Sequence, residues 1–167
     1  MVYFLIIIAA LLRLIPHLPN FAPIAAIALF SAVYLNKKYA LIVALCAMLI
    51  SDAFLGFADF WVTVSVYSSF LLIGLVGFWL KKNKNPQNLI GASLSASIIF
   101  YLLTNFAVWA GTSWYPKTFA GLILCYEMAI PFFRNTIFGD LFYIGVLFGI
   151  YELVIFLWYN KLKQRKI

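Results

Sequence analysis

Apolar residues run almost unbroken along this chain, and prolines and lysines interrupt them at intervals that read as membrane-crossing helices. The runs fall at residues 2–15, 21–36, 39–56, 60–80, 89–110 and 136–160. They predict an all-α polytopic membrane fold of six transmembrane helices. The first two are short for a full crossing, which calls for little tilt, extension into the interface or a locally thinned hairpin. A further apolar stretch, 119–130, has about a dozen residues, too few to span, and reads as a short buried, interfacial or re-entrant helix closed by Pro131. Asn135 or Thr136 would then cap the last span, with Asp140 in its first turn.

Composition sharpens this picture. Of 167 residues, 66% are hydrophobic and 10% charged, which excludes a water-soluble domain with an ordinary polar surface. Six spans consume most of the length, so a single integral membrane domain over 1–167 is expected. The net charge of +7 suggests nucleic acid only until the basic residues are located. Nine of the twelve sit at Lys37–Lys38, at Lys81, Lys82 and Lys84, and in the tail Lys161, Lys163, Arg165 and Lys166. Even numbers of spans separate these clusters, so all share one side, the cytoplasmic one by the positive-inside rule, with both termini. The expected location is a bacterial cytoplasmic membrane. Residues 1–15 have neither a basic leader nor a small-residue cleavage pattern and are expected to stay as the first span. Cys46 and Cys125 are too few for a disulfide framework or thiolate metal site, and no metal or other cofactor is expected.

The scarce polar residues gather on the other side. The segment from Arg13 to Pro23 holds Pro16, Pro19 and Pro23, cannot continue a regular helix, and must be a broken loop. Irregular backbone at that depth lines a wet cavity or is covered by protein. Arg13, His17 and Asn20 in this loop are binding candidates, against the plainer reading of a tight hairpin with a snorkelling arginine. On the fifth span Ser97, Tyr101, Asn105 and Trp109 recur every fourth residue along one stripe. Interhelical hydrogen bonding explains Ser97 best, whereas Asn105 and Trp109, nearer the outer mouth, are ligand candidates. Trp114 and Tyr115 in the outer loop supply flat surfaces for stacking. Arg134 can hold a carboxylate bidentately, and Asn135 follows it.

Asp52 lies inside the third span, where an unpaired carboxylate costs roughly 2.5 kcal/mol or more. It needs a cation, and Arg13 and Arg134 are the available ones. Asp52, Glu127 and Asp140 are therefore candidates for structural ion pairs. Small-residue pairs at Ala28/Ala32 and Gly145/Gly149 permit close helix contact and are candidate docking faces for a partner. Glu152, deep in the last span, has no evident partner in the sequence.

Two stretches, Arg13-Leu-Ile-Pro-His-Leu-Pro-Asn-Phe-Ala-Pro-Ile24 and Tyr115-Pro-Lys-Thr-Phe-Ala-Gly-Leu-Ile-Leu-Cys-Tyr-Glu-Met-Ala-Ile-Pro-Phe-Phe-Arg-Asn-Thr-Ile-Phe-Gly-Asp140, resemble the signature segments of an uncharacterised bacterial family of small membrane proteins. The likeness runs over essentially the whole chain. More distantly, the span count, inward termini and outer polar-aromatic cluster resemble the substrate-binding S components of energy-coupling-factor (ECF) vitamin transporters. That resemblance implies capture of a vitamin-like molecule from outside, with a transmembrane coupling subunit and ATPases as partners. Such S components commonly carry an Ala-xxx-Ala pair on the first span; here the nearest match is Ala28/Ala32 on the second.

The leading functional expectation is thus a non-enzymatic transporter subunit that binds a small vitamin-like or planar amphipathic molecule at its extracytoplasmic face, in contact with the bilayer and not with nucleic acid. No phosphate-cradling G-x-x-x-x-G-K-[ST] occurs, so ATP use would fall to a partner. Two alternatives stay open: an intramembrane enzyme acting on lipid or peptide, with His17 or Glu127 as base, and a non-catalytic assembly subunit.

Overall fold

The computed structural model describes residues 1–164; Arg165 and Lys166 of the basic tail lie outside them. The described residues form six helices: α1 (Val2–Leu12), α2 (Ile24–Tyr34), α3 (Lys37–Leu55), α4 (Phe60–Lys82), α5 (Pro86–Gly111) and α6 (Phe119–Gln164). Four of them, α3 to α6, are long and apolar enough to cross a membrane, whereas α1 and α2 have eleven residues each. At 1.5 Å per residue each short helix is about 16 Å long, roughly half a hydrocarbon core.

The short α2 is the centre of the molecule. It packs against all five other helices, and every residue from Ile24 to Val33 is buried. A helix that is apolar on every side belongs inside protein. Its tightest neighbour is α4, where a Cβ at Gly77 would stand 2.5 Å from the Ala32 Cβ and 3.3 Å from the Leu29 backbone. Ala28 and Ala32, at 1% and 0% exposure, therefore join α2 to its neighbours and are not available at the surface. Gly145 and Gly149 on α6 do stand in open space. Phe30 seals the other side of α2 with edge-on rings, 5.3 Å from Phe148 and 5.5 Å from Tyr151.

Two of the lysine clusters, Lys37–Lys38 and Lys81–Lys84, meet at one end. Lys81 donates to the Leu35 carbonyl at 2.8 Å, Lys37 lies 5.9 Å from the Phe78 ring centre, and Lys84 binds both Tyr34 and Glu152. Glu152 thus has the partners its sequence position does not reveal. We call this the lysine end; the loops 13–23, 56–59 and 112–118 form the opposite, open end.

The largest departure from the sequence expectation is α6. Residues 119–130 and 136–160 are not two helices, because the helix continues through Pro131 to Gln164. Thr118, not Asn135 or Thr136, begins it, accepting from the Gly121 amide at 3.1 Å. Proline is tolerated inside membrane helices where neighbours satisfy the freed backbone groups, so Pro131 is a weaker stop here than in water. The first part of α6 descends along the last part of α5. Asp140 consequently lies deep inside α6, without the first-turn stabilisation expected for it.

The stripe on α5 is the seam between these two helices. Ser97 meets Asp140, the Tyr101 hydroxyl donates to the Tyr126 carbonyl at 2.7 Å, the Cys125 thiol approaches the Asn105 carbonyl at 3.4 Å, and the Trp109 indole donates to the Pro116 carbonyl at 2.9 Å.

Candidate functional site

Helix α3 is about 28 Å long and α2 about 16 Å, so the centre of the bundle is short of helix toward the open end. The segment 13–23 fills part of this deficit. Helix α1 tightens as it ends, with the amides of Arg13, Leu14 and Ile15 bonding three residues back. The Phe21 amide then closes a turn on the Leu18 carbonyl at 2.9 Å, with Pro19 and Asn20 at its corners. Asn20 has φ of 63°, the sole positive value on a non-glycine among the described residues. Proline followed by a left-handed residue is the arrangement of a type II turn, and asparagine tolerates that conformation better than most side chains.

Helix α6 pins this turn. The Asn135 amide donates to the Pro19 carbonyl at 3.1 Å. One helical turn on, a Cβ at Gly139 would lie 3.0 Å from the Phe21 Cα, so any side chain there presses the loop backbone outward.

The rest of the deficit is a cavity of 280 Å³ lined by Arg13, His17, Asn20, Thr136 and Asp140 with apolar walls that include Phe70 and Phe100. Ile24 and Ala25, the first residues of α2, also line it. Pro23 provides no side-chain cap for that helix, so the positive end of α2 faces the hollow. A second hollow of 230 Å³ shares Asn20, Val66, Phe100 and Thr136 with the first and adds Asn105 and Tyr101.

Arg13 and Asp52 form a nearly buried ion pair, Nη2 to Oδ1 at 2.6 Å. Arg13 also donates to the Ser51 hydroxyl, and the Tyr67 hydroxyl donates to the second Asp52 oxygen at 2.9 Å. Both carboxylate oxygens are thereby engaged, and α1, α3 and α4 are tied at one point. Asp140, 2% exposed, receives a 2.6 Å hydrogen bond on Oδ2 from Ser97. No cationic side chain lies within ion-pair distance of it among the described residues.

The structure brings Arg13, His17, Asn20 and Asp140 to one hollow and Asn105 to the next. It does not bring the remaining candidates there. Arg134 is exposed, with its guanidinium 5.8 Å from the Phe138 ring centre, and Glu127 is exposed without an ion-pair partner among the described residues. Arg134 therefore pairs with neither Asp140, Asp52 nor Glu127. Trp109 and Lys117 pack on the 112–118 loop, Lys117 donating to the Trp109 and Thr112 carbonyls, while Trp114 is largely exposed. Trp109, Trp114, Tyr115 and Asn135 line neither hollow. Sequence reasoning passed over Thr136, Phe70 and Phe100 as wall residues. The spacing of Thr136 and Asp140, four apart and so on one helical face, is the signal that points to the first of them.

The chain belongs to DUF6580, a family of unknown function whose model matches residues 1–164. No curated protein and no solved structure matches it significantly.

Proposed function

From the geometry of the open end, we propose that this chain is the substrate-binding component of a membrane transporter, taking a small planar amphipathic molecule from the extracytoplasmic side. The observation that carries the reading is the hollow beyond the truncated central helix. It combines apolar and aromatic walls with a few converging polar groups, the usual make-up of a small-molecule site. A half-length helix whose positive end faces such a hollow also recurs in transporters, where it contributes to the binding site.

In this reading all six helices cross the bacterial cytoplasmic membrane, α1 and α2 being completed by the 13–23 loop. The lysine end faces the cytoplasm by the positive-inside rule, and with it both termini. The reading takes the chain as an ECF-type S component. An ATPase module with its coupling subunit would supply energy, and the exposed Gly145/Gly149 pair on α6 is the surface left for the coupling subunit once Ala28 and Ala32 are internal.

The test is purification in lipid nanodiscs, mass spectrometry of co-purifying small molecules, and a thermal-shift screen of vitamins. A hit should lose its shift in Ala25→Phe, which fills the hollow, and keep it in Trp109→Ala, which lies outside. An unchanged shift in a folded Ala25→Phe protein overturns the reading. Orientation is checked in a Cys46→Ala, Cys125→Ala background with single cysteines at Lys84 and Lys117, of which only the second should react with an impermeant reagent from outside.

A further inference from the structure

We infer that the molecule taken up by the 280 Å³ hollow is an organic ammonium ion with a flat apolar body, its charged nitrogen seated against Asp140. The inference rests on the capture reading above and specifies its ligand.

The argument is one of charge matching. Three ionisable side chains line the hollow: Arg13, His17 and Asp140. The charge of Arg13 is already matched by Asp52, whose Oδ1 it binds while Oδ2 accepts from the Tyr67 hydroxyl. Asp140 has no such cation, only the Ser97 hydroxyl on Oδ2, and its Oδ1 carries no hydrogen bond among the described residues. A buried carboxylate left this way is expensive, and membrane proteins keep such groups where a substrate or ion completes them. The α2 terminus offers about half a positive charge at most, less than a carboxylate requires. An ammonium group supplies the rest.

The walls say what accompanies that group. Phe70, Phe100, Met48 and Val66 present rings and alkyl surface to the same space, which favours a planar apolar body and attracts cations to the ring faces. The volume is at the small end of known ligand sites, enough for one fused ring system and a short amine arm. An anion would meet Asp140 with the Arg13 charge already committed to Asp52 and only His17, whose Nδ1 bonds the Leu18 carbonyl, left to offset it.

The test uses three molecules of one shape and different charge: tryptamine, tryptophol and indole-3-propionate. Binding of each to the full chain in nanodiscs is measured against lipid-only discs. Tryptamine is expected to bind at least about tenfold more tightly than the other two, a difference of about 1.4 kcal/mol. Asp140→Asn should abolish that preference, and Ser97→Ala, which keeps the carboxylate, should retain it. Equal binding of the three, preference for the propionate, binding by none, or a tryptamine preference that survives in Asp140→Asn would each overturn the inference. The three-probe comparison on the unaltered chain decides even if Asp140→Asn does not fold. Failure of the ligand class is separable from failure of the capture reading. If a probe binds regardless of charge and Ala25→Phe blocks it, only the class is wrong; if Ala25→Phe leaves binding intact, the site itself is wrong.

Discussion

The two ends of this molecule contain the same three chemical groups in different surroundings. At the open end a cation, a carboxylate and a tyrosine hydroxyl meet as Arg13, Asp52 and Tyr67; at the lysine end they meet as Lys84, Glu152 and Tyr34. The first trio is nearly closed off from solvent, whereas the side chains of Lys84 and Glu152 are 41% and 50% exposed. A guanidinium spreads its donors over Asp52, Ser51 and the Met48 carbonyl; an ammonium acts as a single point of charge beside Glu152 and over the Tyr34 ring. The difference teaches that position sets the worth of such a trio. The buried one cannot lose its arginine or its carboxylate without stranding a charge, and the exposed one leaves its charges to their open surroundings.

Substitutions break or sharpen this contrast in a definite order. Arg13→Ala should have the largest effect, destabilising by about 3 kcal/mol through the stranded Asp52 carboxylate. Arg13→Met with Asp52→Leu should recover most of that loss. Thermal denaturation in detergent measures both, and a loss below about 1 kcal/mol for Arg13→Ala would erase the contrast. Next comes Gly139→Val, which drives a branched side chain into the Phe21 backbone and should cost about 2 kcal/mol. Smaller still, Asn20→Val should cost about 1 kcal/mol because a branched residue resists positive φ, whereas Asn20→Gly should be neutral. The smallest effect belongs to the lysine end. Lys84→Ala should cost about 0.5 kcal/mol or less, and the difference from the unaltered chain should fade in high salt.

The sequence made the membrane class, the meeting of two lysine clusters and the need of Asp52 for a cation legible, because each follows from the cost of charge in an apolar setting, though not the choice of Arg13 over Arg134. On the α5 stripe interhelical bonding was legible at Ser97 alone, whereas Asn105 and Trp109 read as ligand residues although they belong to the same seam. The course of α6 was hidden, because Pro131 is a stop signal in water and only a perturbation among neighbouring helices. The burial of α2 was hidden too: an apolar helix reads alike whether lipid or protein surrounds it, so Ala28 and Ala32 looked as exposed as Gly145 and Gly149. For the hollow, the decisive quantity is an angle. Residue 134 points well away from the face shared by 136 and 140, so Arg134 stands outside while Thr136 and Asp140 line the wall.

Helix α6 is a rod of about 69 Å, more than twice the thickness of a hydrocarbon core. Past Glu152 it runs on through Leu153, Val154, Ile155, Phe156, Leu157, Trp158 and Tyr159, all exposed, before reaching Lys161 and Lys163. Two waterlines are thus painted on one hull, at Lys81–Lys84 and at Lys161–Lys163, about 14 Å apart along the rod. Only a list to one side, or a local swelling of the lipid, can float both at once. The draught of this protein, and so its posture, should depend on how thick a bilayer carries it.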